Sequence, residues 1–251
     1  MLTRYRRFFN ILIILIVFTL INQNLNILNE YLLYAKEDPS TLGFDHIYVI
    51  NLDFRTDRKE KMQMIANYHN LDFDFFPAVS NDNSKILDKY NSSLPPRYKA
   101  CYVSHYKVYE SIVAHGYNRT LILEDDVDME EDIKRIVEED VLPYLPENWD
   151  LLYLGSCATG GRFHNDVPLN GELFEYKIFT SKFPACTHAY AVSLAGAQKL
   201  LNYLVNVDHP IDLYLRKVMR AGNITTVTIL PSVITQWKSD DNPSDVSSDR
   251  H

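Results

Sequence analysis

Glu124, Asp125 and Asp126 follow directly on the apolar run Leu121-Ile122-Leu123 in the segment TLILEDDV. In extended backbone Glu124 and Asp126 project to one side and Asp125 to the other. Gathering three anions at one point is costly unless a positive group joins them. A hard divalent cation, Mn²⁺ or Mg²⁺, meets that need with one or two carboxylates and completes its shell with phosphate oxygens. The chemistry expected of such a corner is departure of a diphosphate, with the metal stabilising the charge that develops on the leaving group. The alternative is a strand that ends in a solvated acidic helix cap, a role for which Asp128, Glu130, Glu131 and Asp132 are placed.

These acids need a scaffold, and the chain supplies alternating strand and helix patterns. His46 to Asp53 alternates as a buried strand, and Asp57 to His69 follows with Met62, Ile65, Ala66 and His69 on one helical face. Phe73 to Val79 reads as a second strand, 80 to 97 as a loop, and Lys99 to His115 as a helix stopped by Gly116. Thr120 to Leu123 is the strand that carries the acids. Asp132 to Val141 is expected to be helical as far as Pro143, Asp150 to Leu154 a buried strand, and 155 to 183 irregular. Strand 189–194, helices 195–205 and 211–221, and strand 224–230 complete the pattern. Such alternation predicts an α/β fold with a mostly parallel central sheet and helices on both faces, its ligands lying beyond the carboxyl ends of the strands.

Composition agrees with one sizeable domain. Of 251 residues, 46% are apolar and 23% charged, which excludes a disordered or collagen-like chain. The formal charge of −8 argues against nucleic acid as a partner, since that would require a basic face. The segment from Glu124 to Asp140 holds ten acids against Lys134 and Arg135, so it alone accounts for the imbalance.

Arg4, Arg6 and Arg7 precede an apolar run from Phe8 to Ile21. At 1.5 Å per residue that run makes about 21 Å of helix, and extension to Leu28 makes about 31 Å. The expected organisation is a cytoplasmic tail at 1–7, a signal anchor at 8–28, a stem at 29–43 and the main domain at 44–251. A cleaved signal peptide or a buried helix are the alternatives. This arrangement gives a single-pass type II membrane protein of the endoplasmic reticulum or Golgi with a lumenal domain. Sequons at Asn91, Asn118 and Asn223 permit a lumenal address. Cys157 and Cys186 each flank an apparent strand and are the expected disulfide, with Cys101 left over; three reduced thiols are the alternative.

Several segments in order resemble glycosyltransferase family 25, the group of bacterial lipooligosaccharide galactosyltransferases and collagen hydroxylysine galactosyltransferases. They are IYVINLDFRTDRKEKM (47–62), ACYVSHYKVYESIV (100–113), LILEDDV (121–127), DLLYLG (150–155), THAYAVSLAGAQKLL (187–201), HPIDLYL (209–215) and SDDNPSDVSSD (239–249). Where the family often carries Gly-Glu before its Cys helix, this chain has Pro96-Arg97-Tyr98-Lys99. The resemblance implies a GT-A-like nucleotide-binding fold and inverting transfer of a hexose, most commonly galactose from UDP-galactose, onto a glycan or protein hydroxyl. It implies Asp126 and then Asp125 as metal ligands, and Asn51, Leu52, Arg55, Arg58, Ser104, His105 and Glu124 as donor-site residues. Glu124 has a purely structural hydrogen bond as its alternative, and each arginine a surface ion pair. Direct displacement requires a base on the acceptor hydroxyl. Asp212, in the first turn of the helix that Pro210 opens, is the candidate, a helix-dipole acid being its bland counterpart. His188, Asp240 and Asp241 are secondary candidates for the acceptor pocket and metal shell, and Trp237 is either a sugar platform or core filler. The rival reading is a catalytically inactive relative acting as a binding, adhesion or chaperone module; such a relative is expected to lose Asp125, Asp126 or Asp212, and this chain keeps all three.

Overall fold

The computed structural model describes residues 16–27, 38–157, 167–181, 184–237 and 245–246. The chain divides into two compact units, Met1–Pro39 and Ser40–His251. In the first, residues 16–27 form helix α1. Among the described residues no helix is long and apolar enough to cross a membrane; the remainder of the anchor expected over 8–28 lies outside them. The expected stem is shorter at its far end. Ser40 donates its N–H to Asn70 and Leu42 is fully buried, so 40–43 belongs to the second unit.

In that unit the strands are β1 (His46–Asn51), β2 (Asp74–Pro77), β3 (Arg119–Glu124), β4 (Val127–Met129), β5 (Leu151–Tyr153), β6 (Lys177–Thr180), β7 (Ala189–Ser193), β8 (Thr226–Leu230) and β9 (Ile234–Gln236). The helices are α2 (Thr56–His69), α3 (Ser84–Leu87), α4 (Pro96–His115), α5 (Ile133–Arg135), α6 (Leu194–Tyr203) and α7 (Ile211–Arg220). Seven strands form the central sheet in the order β2-β1-β3-β7-β5-β8-β6, and β4 pairs with β9 beside it. β2, β1, β3, β5 and β8 run one way, while β7 and β6 are reversed.

Strand alternation sorts the core into two layers. Ile47, Val49, Leu121, Leu123, Ala189 and Ala191 face one side and pack with Met62 and Ile65 of α2. Tyr48, Ile50, Ile122, Tyr190 and Val192 face the other, against Val108, Tyr109 and Ile112 of α4, Leu200 of α6 and Leu215 of α7. Helix α4 opens at Pro96, three residues earlier than its apolar spacing predicts, because proline at the first helical position needs no N–H partner and brings a helical φ. It ends at Gly116, whose φ of +71° is the left-handed conformation that glycine adopts without steric cost.

The helix expected over 132–141 forms differently. One α turn at Ile133–Arg135 gives way to a wider π-type winding over Ile136–Val141 and a tight turn at Leu142–Tyr144. Ile136, Val137 and Val141 are all buried in that stretch, and Pro143, lacking an N–H, closes it. The region 155–183, expected to be irregular, contributes edge strand β6.

Candidate functional site

Parallel pairing of β1 with β3 sets Ile50 opposite Glu124, so the carboxyl ends of both strands open on one corner. The side chains of Glu124, Asp125 and Asp126 take three different sets of partners there. Asn51, at the end of β1, donates Nδ2–H to Asp125 Oδ2 at 2.8 Å. Arg58, on the first turn of α2 and only 6% exposed, donates to Asp125 Oδ1 at 2.7 Å and stands 3.3 Å from Asp126 Oδ2. Gln236, carried in by β9, donates to both oxygens of Asp126 at 3.2 and 3.1 Å. Glu124 turns away from this pair: Thr187 donates to its Oε1 at 2.8 Å and His105 Nε2 lies 3.5 Å from the same atom. Behind it the contacts continue from His105 Nδ1 to the Tyr190 hydroxyl at 2.9 Å and from there to the Tyr109 hydroxyl at 2.6 Å.

Burial pushes the Asp125 pKa above its ordinary value despite the hydrogen bond and charge of Arg58. Burial, followed by the negative charge of Glu124, pushes Asp126 up to about 6. Glu124 goes the other way. Burial opposes its charge, but the hydrogen bond and charge of His105, together with Thr187 and His188, hold it below the usual carboxylate range. The corner therefore carries more negative charge than Arg58 balances, and its free lone pairs are hard carboxylate oxygens. That donor set fits a hard divalent cation held by Asp126 and Asp125.

The corner forms one end of a cleft. Leu52 and Phe54 follow β1, Ala78 to Asn81 follow β2, and Arg97, Ala100, Cys101, Ser104 and His105 form one face of α4. Asp245 and Val246 also line it.

The sequence model of glycosyltransferase family 25 (LPS biosynthesis protein) matches residues 44–215. The chain belongs to glycosyltransferase family 25. It is 32% identical over 181 residues to the probable inactive glycosyltransferase 25 family member 3 of Rattus norvegicus, covering 65% of this chain and 31% of that protein. It is 27% identical over 191 residues to procollagen galactosyltransferase 2 of Homo sapiens, covering 69% and 30%. The chain thus spans about three-tenths of the length of these curated relatives. A solved glycosyltransferase involved in the glycosylation of the major capsid of PBCV-1 aligns at a TM-score of 0.42 and 10% identity, over 80% of this chain and 94% of that one.

Within this family 25 domain the structure brings Asn51, Leu52, Arg58, Ser104, His105, Glu124, Asp125 and Asp126 to the same cleft. Ser104, however, spends its hydroxyl on the scaffold. It accepts from the N–H of Val79 and donates to the carbonyl of Ala100, both at 2.8 Å, so it pins the segment after β2. Arg55 forms a two-point contact with Asp57 at 3.0 and 2.8 Å and a further ion pair with Asp245. The Asp57 hydrogen bond raises the Arg55 pKa, and Arg55 in turn lowers Asp57 to about 2. Asp212 sits half-buried in the first turn of α7, outside the cleft lining, where its charge helps raise the Tyr153 and Cys101 pKa values beyond the larger effect of burial. His188 is buried beneath β9, with Nε2 3.3 Å from the Ile234 carbonyl, and does not line the cleft. Lys61 lies 3.2 Å over the Trp237 ring, which occupies one face of the expected sugar platform. Asp240 and Asp241 lie outside the described residues. Cys157 and Cys186 are joined in a disulfide, with Cys101 the free thiol. Asn91, Asn118 and Asn223 are all exposed.

Sequence reasoning missed Thr187, Tyr190, Gln236 and Asp245. The helical spacing of Arg97, Cys101 and His105 was a signal for two more cleft residues, Arg97 and Cys101. Nothing local marked Gln236, which the pairing of β4 with β9 delivers.

Proposed function

We propose that this domain transfers a hexose from a nucleotide diphosphate sugar, galactose from UDP-galactose, onto a glycan or protein hydroxyl with inversion. The observation that carries the reading is the under-neutralised corner of Asp125 and Asp126 at the end of β3, set in a cleft and ordered by Asn51, Arg58 and Gln236. A Mn²⁺ or Mg²⁺ ion bound there would supply positive charge to the departing diphosphate. Arg58 fixes both aspartates in place, and Asn51 orients Asp125, so the ligand oxygens are positioned before any substrate arrives. Glu124, held ionised by His105 and Thr187, keeps the potential of the corner negative and so attracts the cation. Asp212, in the first turn of α7, is the proposed base for the acceptor hydroxyl. The disulfide supports an oxidising compartment, and with the basic and apolar N-terminus it supports a lumenal domain anchored as a type II membrane protein.

A second reading has its own observation. The inactive family member matches at 32% identity and the galactosyltransferase at 27%, which favours a silent relative that keeps the fold as a binding, adhesion or chaperone module. A panel of UDP-sugars with Mn²⁺, scored by hydrolysis and thermal shift, separates the two. The enzyme reading expects donor hydrolysis selective for UDP-galactose, reduced at least about 100-fold in Asp126→Ala. Turnover that survives Asp126→Ala removes the metal assignment. Binding of no sugar nucleotide favours the silent module.

A further inference from the structure

Asp245 stands 190 residues beyond Arg55 in the sequence, yet its Oδ2 accepts a hydrogen bond from Arg55 Nη1 and lies 3.9 Å from Arg58 Nη1. Its side chain is 36% exposed and forms part of the cleft lining. The two partners of Arg55 differ in kind. Asp57 is two residues away and grips Nε and Nη2, so that contact travels with the turn. The Asp245 contact joins distant parts of the chain and occupies Nη1, so of these two partners the one that lines the cleft is the one held across the fold.

A guanidinium accepts a carboxylate or a phosphate with the same fork geometry, and a diphosphate brings more charge and more oxygens than one carboxylate. Asp245 also adds a further anion 3.9 Å from Arg58 Nη1, the same nitrogen that holds Asp125 and Asp126, so its departure would leave that guanidinium less shared. An ion pair this exposed is worth only a factor of a few in an equilibrium constant, which suits a contact made to be exchanged.

We propose that Asp245 is an internal competitor for the anion position on Arg55, displaced when the diphosphate of a nucleoside diphosphate enters the cleft. The proposal rests on the donor reading above and adds to it a restraint: the chain occupies its own phosphate position, and the apparent affinity for the nucleotide is lowered by the fraction of molecules so occupied.

Calorimetric titration of the whole 251-residue chain with UDP, at saturating Mn²⁺, tests this. The chains compared are wild type, Asp245→Ala, Arg55→Ala and the double variant, each first shown to melt cooperatively. Asp245→Ala is expected to bind UDP about three- to fivefold more tightly than wild type, and this gain is expected to vanish in the Arg55→Ala background. Equal or weaker UDP binding by Asp245→Ala overturns the proposal while leaving the donor reading intact. A gain that persists without Arg55 also overturns it, because the carboxylate would then act through the general field. Absence of UDP binding by all four chains removes the donor reading and this proposal together.

Discussion

Asp126 and Glu124 are two residues apart, and their partners send them in opposite directions. Glu124 has His105 and Thr187 to hold its charge, whereas Asp126 shares one guanidinium with Asp125 and feels the anion of Glu124 beside it. Its pKa rises from 3.8 to about 6 on folding. An acid whose folded pKa is raised binds more protons folded than unfolded between those two values, so stability falls as pH rises through that window and the loss is complete above it. Two pKa units correspond to up to about 3 kcal/mol. Asp126→Asn removes the charge and is therefore expected to raise the melting temperature of the metal-free protein at pH 7.5 and to flatten its decline between pH 4 and 6. Adding Mn²⁺ is expected to raise the wild-type melting temperature and leave the variant unmoved. A metal-free variant that melts below wild type at pH 7.5 would show that the Asp126 charge stabilises the fold by itself.

At the scale of elements, the corner depends on how closely β5, β7 and β9 approach one another. Gly155 follows β5, and a Cβ there would lie 2.2 Å from His188 Nε2 and 2.3 Å from the Ile234 carbonyl. Because the second of these is backbone of β9, Gly155→Ala must displace the strand that delivers Gln236 to Asp126. Overpacking of this kind costs about 1–3 kcal/mol. The variant is expected to lose that much in urea denaturation and also to weaken its Mn²⁺-dependent thermal shift; a loss of stability with the metal response unchanged would separate β9 from the corner. The long buried runs of β1 and β3 were legible because residues on both faces are apolar, and Asn51 and the three acids stood out at the ends of those runs, with Arg58 one short turn beyond β1. β7 was legible as a strand but not as a reversed one, since an apolar run carries no direction. β4 and β9, three residues each, are too short to show a period, so the pairing that brings in Gln236 left no local mark. Asp245 was hidden for a related reason: its contact with Arg55 is a consequence of the finished fold, and an isolated aspartate in a polar segment reads as solvated.

Over the whole molecule, the disulfide ties the segment after β5 to the approach to its antiparallel neighbour β7, which leads into the site. Cys157 lies just beyond β5 and Cys186 just before β7, and the backbone N–H of Cys157 also donates to Ala185. The next residue, Thr187, holds Glu124, and β7 carries the Tyr190 hydroxyl that supports His105. A covalent bond across a separation of 29 residues restricts the unfolded chain by about 3–4 kcal/mol on a loop-entropy basis. Reduction, or replacement of both cysteines by serine, is accordingly expected to lower the unfolding free energy read from urea denaturation by that amount. It should act locally as well: with the approach to β7 released, the Thr187–Glu124 contact is less constrained, and Mn²⁺ and UDP binding are expected to weaken in folded, reduced protein. Calorimetry well below the urea transition reads the second effect separately from the first. If reduced protein were to bind as tightly as oxidised protein, the bridge would serve the fold alone, without tuning the cleft.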